Sequence, residues 1–202
     1  MLGLFGGSFN PPHVGHLAAA QACAEGAGLE VVVWMPAATP PHKVGDRSLA
    51  PAAARLAMVR AAVAGNDRFR VSDLELRRGA DGRPSFTVDT LRALRAGGGG
   101  VAPAGAEWAL LLGGDSLAGF ARWRAPREIL ALARLVVYRR PGADLGGVPG
   151  WVLDRTTLVD GPALDLSSTE VRERLAAGRS ARYLVPDAVR AVAAEHGLYG
   201  TP

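Results

Sequence analysis

Two histidines follow a glycine pair and a proline pair near the start of the chain, in the stretch GGSFNPPHVGH (6–16). Glycines let the backbone approach a phosphate closely, and a helix that begins beside them adds free N–H groups and a positive dipole. His13 and His16 are three residues apart, so on such a helix they share one face of the first turn. There both can donate hydrogen bonds to phosphate oxygens. The stretch therefore predicts a phosphate-binding site.

Other interpretations of this stretch fit less well. The glycine spacing is not GxGxxG, and no lysine follows the glycines as it would in a Walker loop. A zinc site would join His13 and His16 to Cys23 or His42, but Cys23 lies two helical turns beyond His16. A simple capping turn explains one exposed histidine better than two directly after a glycine pair. We therefore expect phosphate as the ligand and no metal held by protein side chains.

Apolar runs typical of strands alternate with helical patterns along the chain. The predicted strands are 1–5, 30–37, 69–76, 107–112, 134–138 and 157–159, and the predicted helices are 14–28, 51–64, 85–96, 168–177 and 186–196. This alternation predicts an α/β fold, a Rossmann-like doubly wound and mainly parallel sheet with helices on both faces. Ligands of such sheets bind at the carboxyl ends of the strands, near the point where the strand order reverses.

The segments between these elements predict loops within one domain. We expect a polar loop at 39–49, which is the best candidate to close on a substrate, and a glycine-rich surface insertion at 97–105. No linker is long enough to separate two domains. The prediction is one domain over 1–202, with a helical C-terminal part from about 165.

Composition narrows the class of protein. Apolar residues make up 49% of the chain, enough for a packed core, and the 21% of charged residues argues against disorder. No apolar run has the length of a membrane span, and no signal peptide is visible. Cys23 is the only cysteine, so an internal disulfide is excluded. We expect a cytoplasmic protein that does not associate with membranes.

The basic charge does not by itself indicate nucleic acid. The formal net charge is +4, but the arginines are scattered and aromatic residues make up only 6% of the chain. RNA-binding surfaces interleave basic and aromatic side chains, so we expect no nucleic-acid partner. Lys43 is the only lysine. The ammonium group of lysine is a compact charge, whereas the guanidinium of arginine is a planar fork, so the two are not interchangeable. A single lysine among many arginines therefore favours a chemical role for Lys43.

Two motifs resemble one superfamily. The opening stretch resembles the signature of the HxGH nucleotidyltransferases, which transfer a nucleotidyl group from a nucleoside triphosphate to a phosphate acceptor. SSTEVR (167–172) at a helix start would be ordinary capping if it stood alone, but it also resembles the SSTxxR element of that superfamily. The resemblance implies that ATP is bound by Gly6, Gly7, Ser8, Phe9, His13, His16, Gly113, Asp115, Ser168, Thr169 and Arg172.

Three further stretches bear on the acceptor: TPPHK (39–43), GRPSFTVDTL (82–91) and LLGGDSLAGFARWRAPREIL (111–130). Taken one at a time and in this order, they are typical of a surface lysine, a helix cap and a tryptophan in the core. Together, in this order, they resemble the bacterial nicotinate-nucleotide adenylyltransferases over nearly the whole chain. The resemblance implies that an acceptor mononucleotide is bound by Lys43 at its phosphate, Thr87 and nearby backbone N–H groups at its carboxylate, Trp123 at its ring and Asp115 at its ribose. Ser85 is expected to bind the same substrate.

The resemblance implies adenylyl transfer from ATP to nicotinate mononucleotide, giving deamido-NAD and pyrophosphate in NAD biosynthesis. The residues expected to balance charge during this reaction are His13, His16, Lys43 and Arg172, with Mg²⁺ brought in by ATP. Nicotinamide mononucleotide or pantetheine phosphate as the acceptor stays open, as does a non-catalytic nucleotide-binding module. A homo-oligomer is compatible with each of these alternatives.

Overall fold

In the computed structural model, which describes residues 1–79, 82–139, 146–162 and 164–200, a six-stranded sheet forms the centre of the fold. Its strands are β1 (Leu2–Gly7), β2 (Val31–Pro36), β3 (Phe69–Val71), β4 (Trp108–Gly113), β5 (Ala133–Arg139) and β6 (Thr156–Asp160). Their spatial order is β3-β2-β1-β4-β5-β6, and all of these pairings are parallel. The order reverses between β1 and β4, which opens a crevice at their carboxyl ends.

Helices connect successive strands and follow the last one. They are α1 (Val14–Gly26), α2 (Ala52–Val63), α3 (Leu74–Arg78), α4 (Thr87–Arg95), α5 (Gly114–Gly119), α6 (Pro126–Leu132), α7 (Gly150–Leu153), α8 (Ser168–Ala176) and α9 (Asp187–Glu195). Short 3₁₀ turns cover Pro41–Lys43, Gly98–Gly100 and Phe120–Arg122. Within the described ranges, none of these helices combines the length and apolar character that a bilayer crossing requires.

The strands send alternate side chains to opposite faces of the sheet. In β2, Val33 joins a core that contains Leu91 of α4, whereas Val32 joins a second core that contains Cys23 of α1 and Val59 of α2. A strand buried on both faces reads as a continuous apolar run, as EVVVWMPA does. Helices therefore cover both faces, and the predicted Rossmann-like doubly wound fold is confirmed.

A smaller core joins the C-terminal helices to the sheet domain. Met58 of α2 packs with Val171 of α8 and Val189 of α9. Helix α2 thus contacts the sheet through one side and the C-terminal helices through the other. The helices α8 and α9 occupy the region expected to be helical, while the number of domains stays a prediction.

The predicted strand 69–76 is wrong in its second half. β3 ends at Val71, and α3 begins at Leu74. Ser72 makes the last bond toward the sheet, donating its N–H to the Trp34 carbonyl at 3.0 Å. Beyond it, Asp73 forms an i,i+4 ion pair with Arg77 that suits a helix. The alternation of apolar residues fitted a strand, but β3 is an edge strand with one neighbour to hold it.

The stretch between β4 and β5 contains helices that periodicity did not predict. Gly114, directly after the end of β4, starts α5, and Pro126 begins α6 after Ala125 at a φ of 52°. Both helices are too short for a clear apolar period. The predicted insertion at 97–105 is partly packed, because Val101 and Ala102 lie against the core on the α4 side.

Candidate active site

A cavity of about 820 Å³ lies at the carboxyl ends of β1 and β4, where the strand order reverses. This volume lies within the usual range for a small-molecule site. The fold brings most of the predicted residues into its wall, namely Gly6, Gly7, Ser8, Phe9, His13, His16, Ser85, Thr87, Gly113, Asp115, Trp123 and Ser168. The other predicted residues, Lys43, Thr169 and Arg172, lie in segments that adjoin the wall.

The glycine loop (residues 6–9) is held in shape by aromatic packing. Gly7 is tightly enclosed, since a Cβ there would lie 3.0 Å from the ring of Phe9. Phe9 has a φ of 47°, which is uncommon for a residue with a side chain, and is only 2% exposed. Its ring centroid lies 5.5 Å from that of Phe5 and 5.2 Å from that of Trp34. The loop is therefore fixed by the core rather than by a ligand.

The two histidines form one unit at the start of α1. His13 is the N-cap, and its backbone N–H donates to Nδ1 of His16 at 3.2 Å. Their ring centroids are 3.8 Å apart. Because Nδ1 of His16 accepts a hydrogen bond, the neutral ring carries its proton on Nε2. That N–H is the donor His16 has for an anion in the cavity.

A capping box begins α8 beside the histidine segment. The Ser167 hydroxyl accepts from the Glu170 N–H at 3.2 Å, and the Glu170 carboxylate accepts from the Ser167 N–H at 2.7 Å. The remaining N–H groups of the first turn are free of intrahelical partners by the nature of a helix end. The start of α8 is thus a second group of donors facing the cavity.

Side chains of α8 anchor that helix to the histidine segment. The Ser168 hydroxyl donates to the Pro11 carbonyl at 2.8 Å. Arg172 donates through Nη1 to the Asn10 carbonyl at 2.9 Å and through Nη2 to Thr169 Oγ1 at 3.3 Å. The SSTEVR motif and the opening motif, far apart in sequence, therefore meet at one place.

Lys43 ends the 3₁₀ turn Pro41–Lys43, next to His42 in the cavity wall. Burial lowers the pKa of Lys43, and the nearby positive charge of Arg172 lowers it further, while Asp46 acts in the opposite direction. Lys43 and Arg172 are thus close enough to repel each other. An anion between them would relieve that repulsion.

The start of α4 forms the third side of the cavity. Thr87 is its first residue and follows the N-cap Phe86. Ser85 donates its N–H to the Thr39 carbonyl at 2.8 Å, which ties this helix start to the segment that carries Lys43. Trp123 also lines the cavity, with its ring centroid 5.4 Å from that of Phe120. Asp115 lies in the first turn of α5.

Glu75 of α3 also lines the cavity, and sequence reasoning missed it. It accepts a hydrogen bond from Thr90 Oγ1 at 2.6 Å, and burial raises the pKa of its carboxyl group. A carboxyl group shielded in this way is less negative than an exposed one, which suits a site for anions. Among the residues that the structure describes, no cluster of His, Cys, Asp or Glu could hold a metal ion.

Two more residues of the opening stretch carry structural roles that sequence reasoning missed. Gly15 has no room for a side chain, because a Cβ there would lie 3.0 Å from Nδ1 of His13. Asn10 is fully buried and donates through Nδ2 to the Ser48 carbonyl at 2.9 Å. Its Oδ1 accepts from the Ala50 N–H at 3.0 Å and from the Tyr199 hydroxyl at 2.6 Å. The spacing HxGH signals Gly15, but no local pattern signals the partners of Asn10.

Comparison with known proteins agrees with this geometry. Residues 4–174 match the family model described as cytidylyltransferase-like, a range that includes both histidines and SSTEVR. The chain belongs to the cytidylyltransferase-like family.

Two relatives of this cytidylyltransferase-like chain are named probable nicotinate-nucleotide adenylyltransferase. That of Salinibacter ruber is 46% identical over 198 residues, covering 98% of this chain and 97% of the relative. That of Roseiflexus sp. is 43% identical over 204 residues, with the same shares covered. The resemblance inferred from the motifs is confirmed.

Solved structures share the cytidylyltransferase-like fold at low sequence identity. The nicotinic acid mononucleotide adenylyltransferase of Plasmodium falciparum complexed with NaAD superposes with a TM-score of 0.76 at 16% identity, covering 100% of this chain and 98% of that one. A putative nicotinate-nucleotide adenylyltransferase from Vibrio parahaemolyticus gives a TM-score of 0.66 at 20% identity, covering 100% and 96%. At these identities the likeness concerns the fold.

Proposed function

We propose that this chain transfers the adenylyl group of ATP to nicotinate mononucleotide, giving deamido-NAD and pyrophosphate. The observation that carries the proposal is the single cavity that joins the glycine loop, both histidines and the starts of α8 and α4. Relatives that align along almost the whole chain and bear the name of this activity support it. The lone, buried Cys23 supports a reducing, cytoplasmic setting.

The reaction needs position and charge more than it needs a base. A phosphate oxygen of the acceptor attacks the α-phosphorus of ATP, and the bond from that phosphorus to the bridging oxygen of pyrophosphate breaks in line. The acceptor phosphate is an anion at neutral pH, so neither a general base nor a covalent enzyme intermediate is required. The protein then contributes by aligning the two phosphates and balancing negative charge in the transition state.

The residues divide between the two substrates. In this proposal the glycine loop, His13, His16 and the α8 start hold the triphosphate, with the outer phosphates toward Arg172. Lys43, the α4 start and Trp123 bind the acceptor. ATP enters as its magnesium complex, and the ion belongs to that substrate, held by phosphate oxygens and water.

The test is pyrophosphate release from ATP and Mg²⁺ with three acceptors side by side: nicotinate mononucleotide, nicotinamide mononucleotide and pantetheine phosphate. We expect strong preference for the first, with deamido-NAD identified by mass. Preference for another acceptor would retain the triphosphate site and refute the acceptor assignments. Tight ATP binding without pyrophosphate release from any of the three would refute enzymatic function.

A further inference from the structure

Arg55, near the start of α2, is a buried cation. It contacts two segments of the site, the glycine loop on the ATP side and the segment leading to Lys43 on the acceptor side. It is 1% exposed. Its guanidinium donates three hydrogen bonds to backbone carbonyls, each 2.9 Å long: Nε to Ala50, Nη1 to Ser8 and Nη2 to Ala38. A planar fork of this kind fixes its acceptors relative to one another.

The three carbonyls belong to different parts of the site. Ser8 lies in the glycine loop on the ATP side. Ala38 precedes Thr39, whose carbonyl holds the α4 start on the acceptor side through Ser85. A shift of the glycine loop must therefore either move the guanidinium or break its bond to Ser8. When the guanidinium moves, the bond to Ala38 is affected as well.

The charge of Arg55 is only partly compensated in the protein alone. No carboxylate of the described residues lies within ion-pair distance of it, and burial lowers its pKa, while Tyr199 and the more distant Glu75 act in the opposite direction. Its charge also contributes to the lowered pKa of Lys43, as does that of Arg172. Buried cations that lack a partner are costly. Phosphates of either substrate would offset this positive charge.

We propose that Arg55 is a positioning residue that couples the two substrate segments, so that ATP and the acceptor mononucleotide each increase the other's affinity. This inference rests on the proposed function. The glycine loop is already fixed by the core, so a phosphate bound on it offsets the charge of the guanidinium, which in turn orders residues 38–43. The second substrate then binds a segment that is already ordered, so its binding loses less conformational entropy. The result is positive cooperativity between the two substrates.

The experiment measures the affinity of a non-hydrolysable ATP analogue by calorimetry, without and with saturating nicotinate mononucleotide. The ratio of the two dissociation constants is the coupling factor. We expect roughly 10-fold coupling in the wild type, within the range usual for linked sites. Arg55→Lys keeps the charge but cannot bond all three carbonyls, so its coupling factor should fall to within about twofold of unity.

Arg68 provides the matched control. It is a half-buried arginine that also bonds backbone carbonyls, those of Ala24 and Leu29, away from the cavity. Arg68→Lys should keep the wild-type coupling factor even if its thermal midpoint falls as far as that of Arg55→Lys. Equal coupling in Arg55→Lys and the wild type overturns the inference, as does a wild type without coupling.

A second measurement needs no variant, in case Arg55→Lys does not fold. Hydrogen–deuterium exchange of wild-type residues 38–43 should slow when the ATP analogue is added alone. Unchanged exchange there would overturn the coupling. Failure of the proposed function is distinct, since it would show as absent adenylyl transfer to nicotinate mononucleotide by the wild type.

Discussion

His13 and His16 act through a geometry set within four residues. The His13 N–H fixes the tautomer of His16, and the missing side chain of Gly15 leaves space for the His13 ring. Their positions thus follow from local structure once α1 begins at Val14. This is why the spacing HxGH alone was enough to predict that both histidines lie in one site.

His16→Ala should lower kcat by about 10²–10³-fold and change the KM for ATP much less. The reason is that a donor aimed at developing charge contributes more in the transition state than in the ground state. Steady-state kinetics with saturating acceptor separates the two effects. The control is His196→Ala, which replaces an exposed histidine at the end of α9. It should leave both kcat and the KM for ATP unchanged. A raised KM for ATP with unchanged kcat would contradict this role.

Gly15→Ala should reduce kcat by about 10²-fold, because the new methyl group must displace the His13 ring and misplace its donor. Gly65→Ala is the matched control, since a Cβ there meets nothing within 4 Å. Thermal midpoints of both variants show whether folding is preserved. Normal turnover in a folded Gly15→Ala protein would show that His13 does not depend on this close approach.

Acceptor binding should weaken at alkaline pH. Burial and the charges of Arg172 and Arg55 lower the pKa of Lys43 from its ordinary 10.5, so in the free enzyme the cation is lost at a lower pH than usual. The KM for nicotinate mononucleotide should therefore rise as the pH is raised through that lowered pKa. Lys43→Arg stays charged throughout, so the rise should disappear from its KM profile. The same rise in both proteins would assign it to another group.

At the scale of elements, the long strands and helices were predictable and the short ones were not. Burial on both faces makes β2 and β4 continuous apolar runs, and α1 and α2 are long enough to stand out. The helix α5, by contrast, has six residues, and its conformation depends on what packs around it. The part of the cavity wall between β4 and β5 could therefore be located from motifs, but its helices could not be predicted from periodicity.

Capping of α8 gives a prediction at this scale. Ser167→Ala removes the acceptor for the Glu170 N–H and should lower the free energy of unfolding by about 1 kcal/mol. Glycine is a better N-cap residue than alanine, so Ser167→Gly should cost only a few tenths of a kcal/mol. Urea unfolding followed by circular dichroism measures both. Unchanged stability in Ser167→Ala would show that the cap hydroxyl does not stabilise the helix.

Across the whole molecule, buried polar side chains join segments that are far apart in the chain. Asn10 and Arg55 were not predictable as site residues, because a polar residue in a loop or an arginine in a helix is usually exposed. Their burial follows from contacts up to 189 residues away. Such contacts leave no periodic trace in the sequence and become visible only in the folded chain.

Cys23 offers a probe of whole-molecule stability. It is 1% exposed, and burial raises the pKa of its thiol to about 12, so little reactive thiolate is present at neutral pH. Alkylation by iodoacetamide should be slow in the native protein and should accelerate with urea as steeply as global unfolding does. Fast alkylation at a rate that does not depend on the urea concentration would instead show that α1 opens locally. Cys23→Ser controls for reaction at other side chains.

The bonds from Ser168, Arg172 and Tyr199 to residues 10 and 11 have a consequence for biosynthesis. Translation produces the glycine loop and both histidines well before the side chains that tether them. A nascent chain can pair β1 with β2 early, since proteins fold as they emerge. It cannot secure its nucleotide site until Ser168, Arg172 and Tyr199 have also left the ribosome. Catalytic competence should thus appear only after these late residues have emerged.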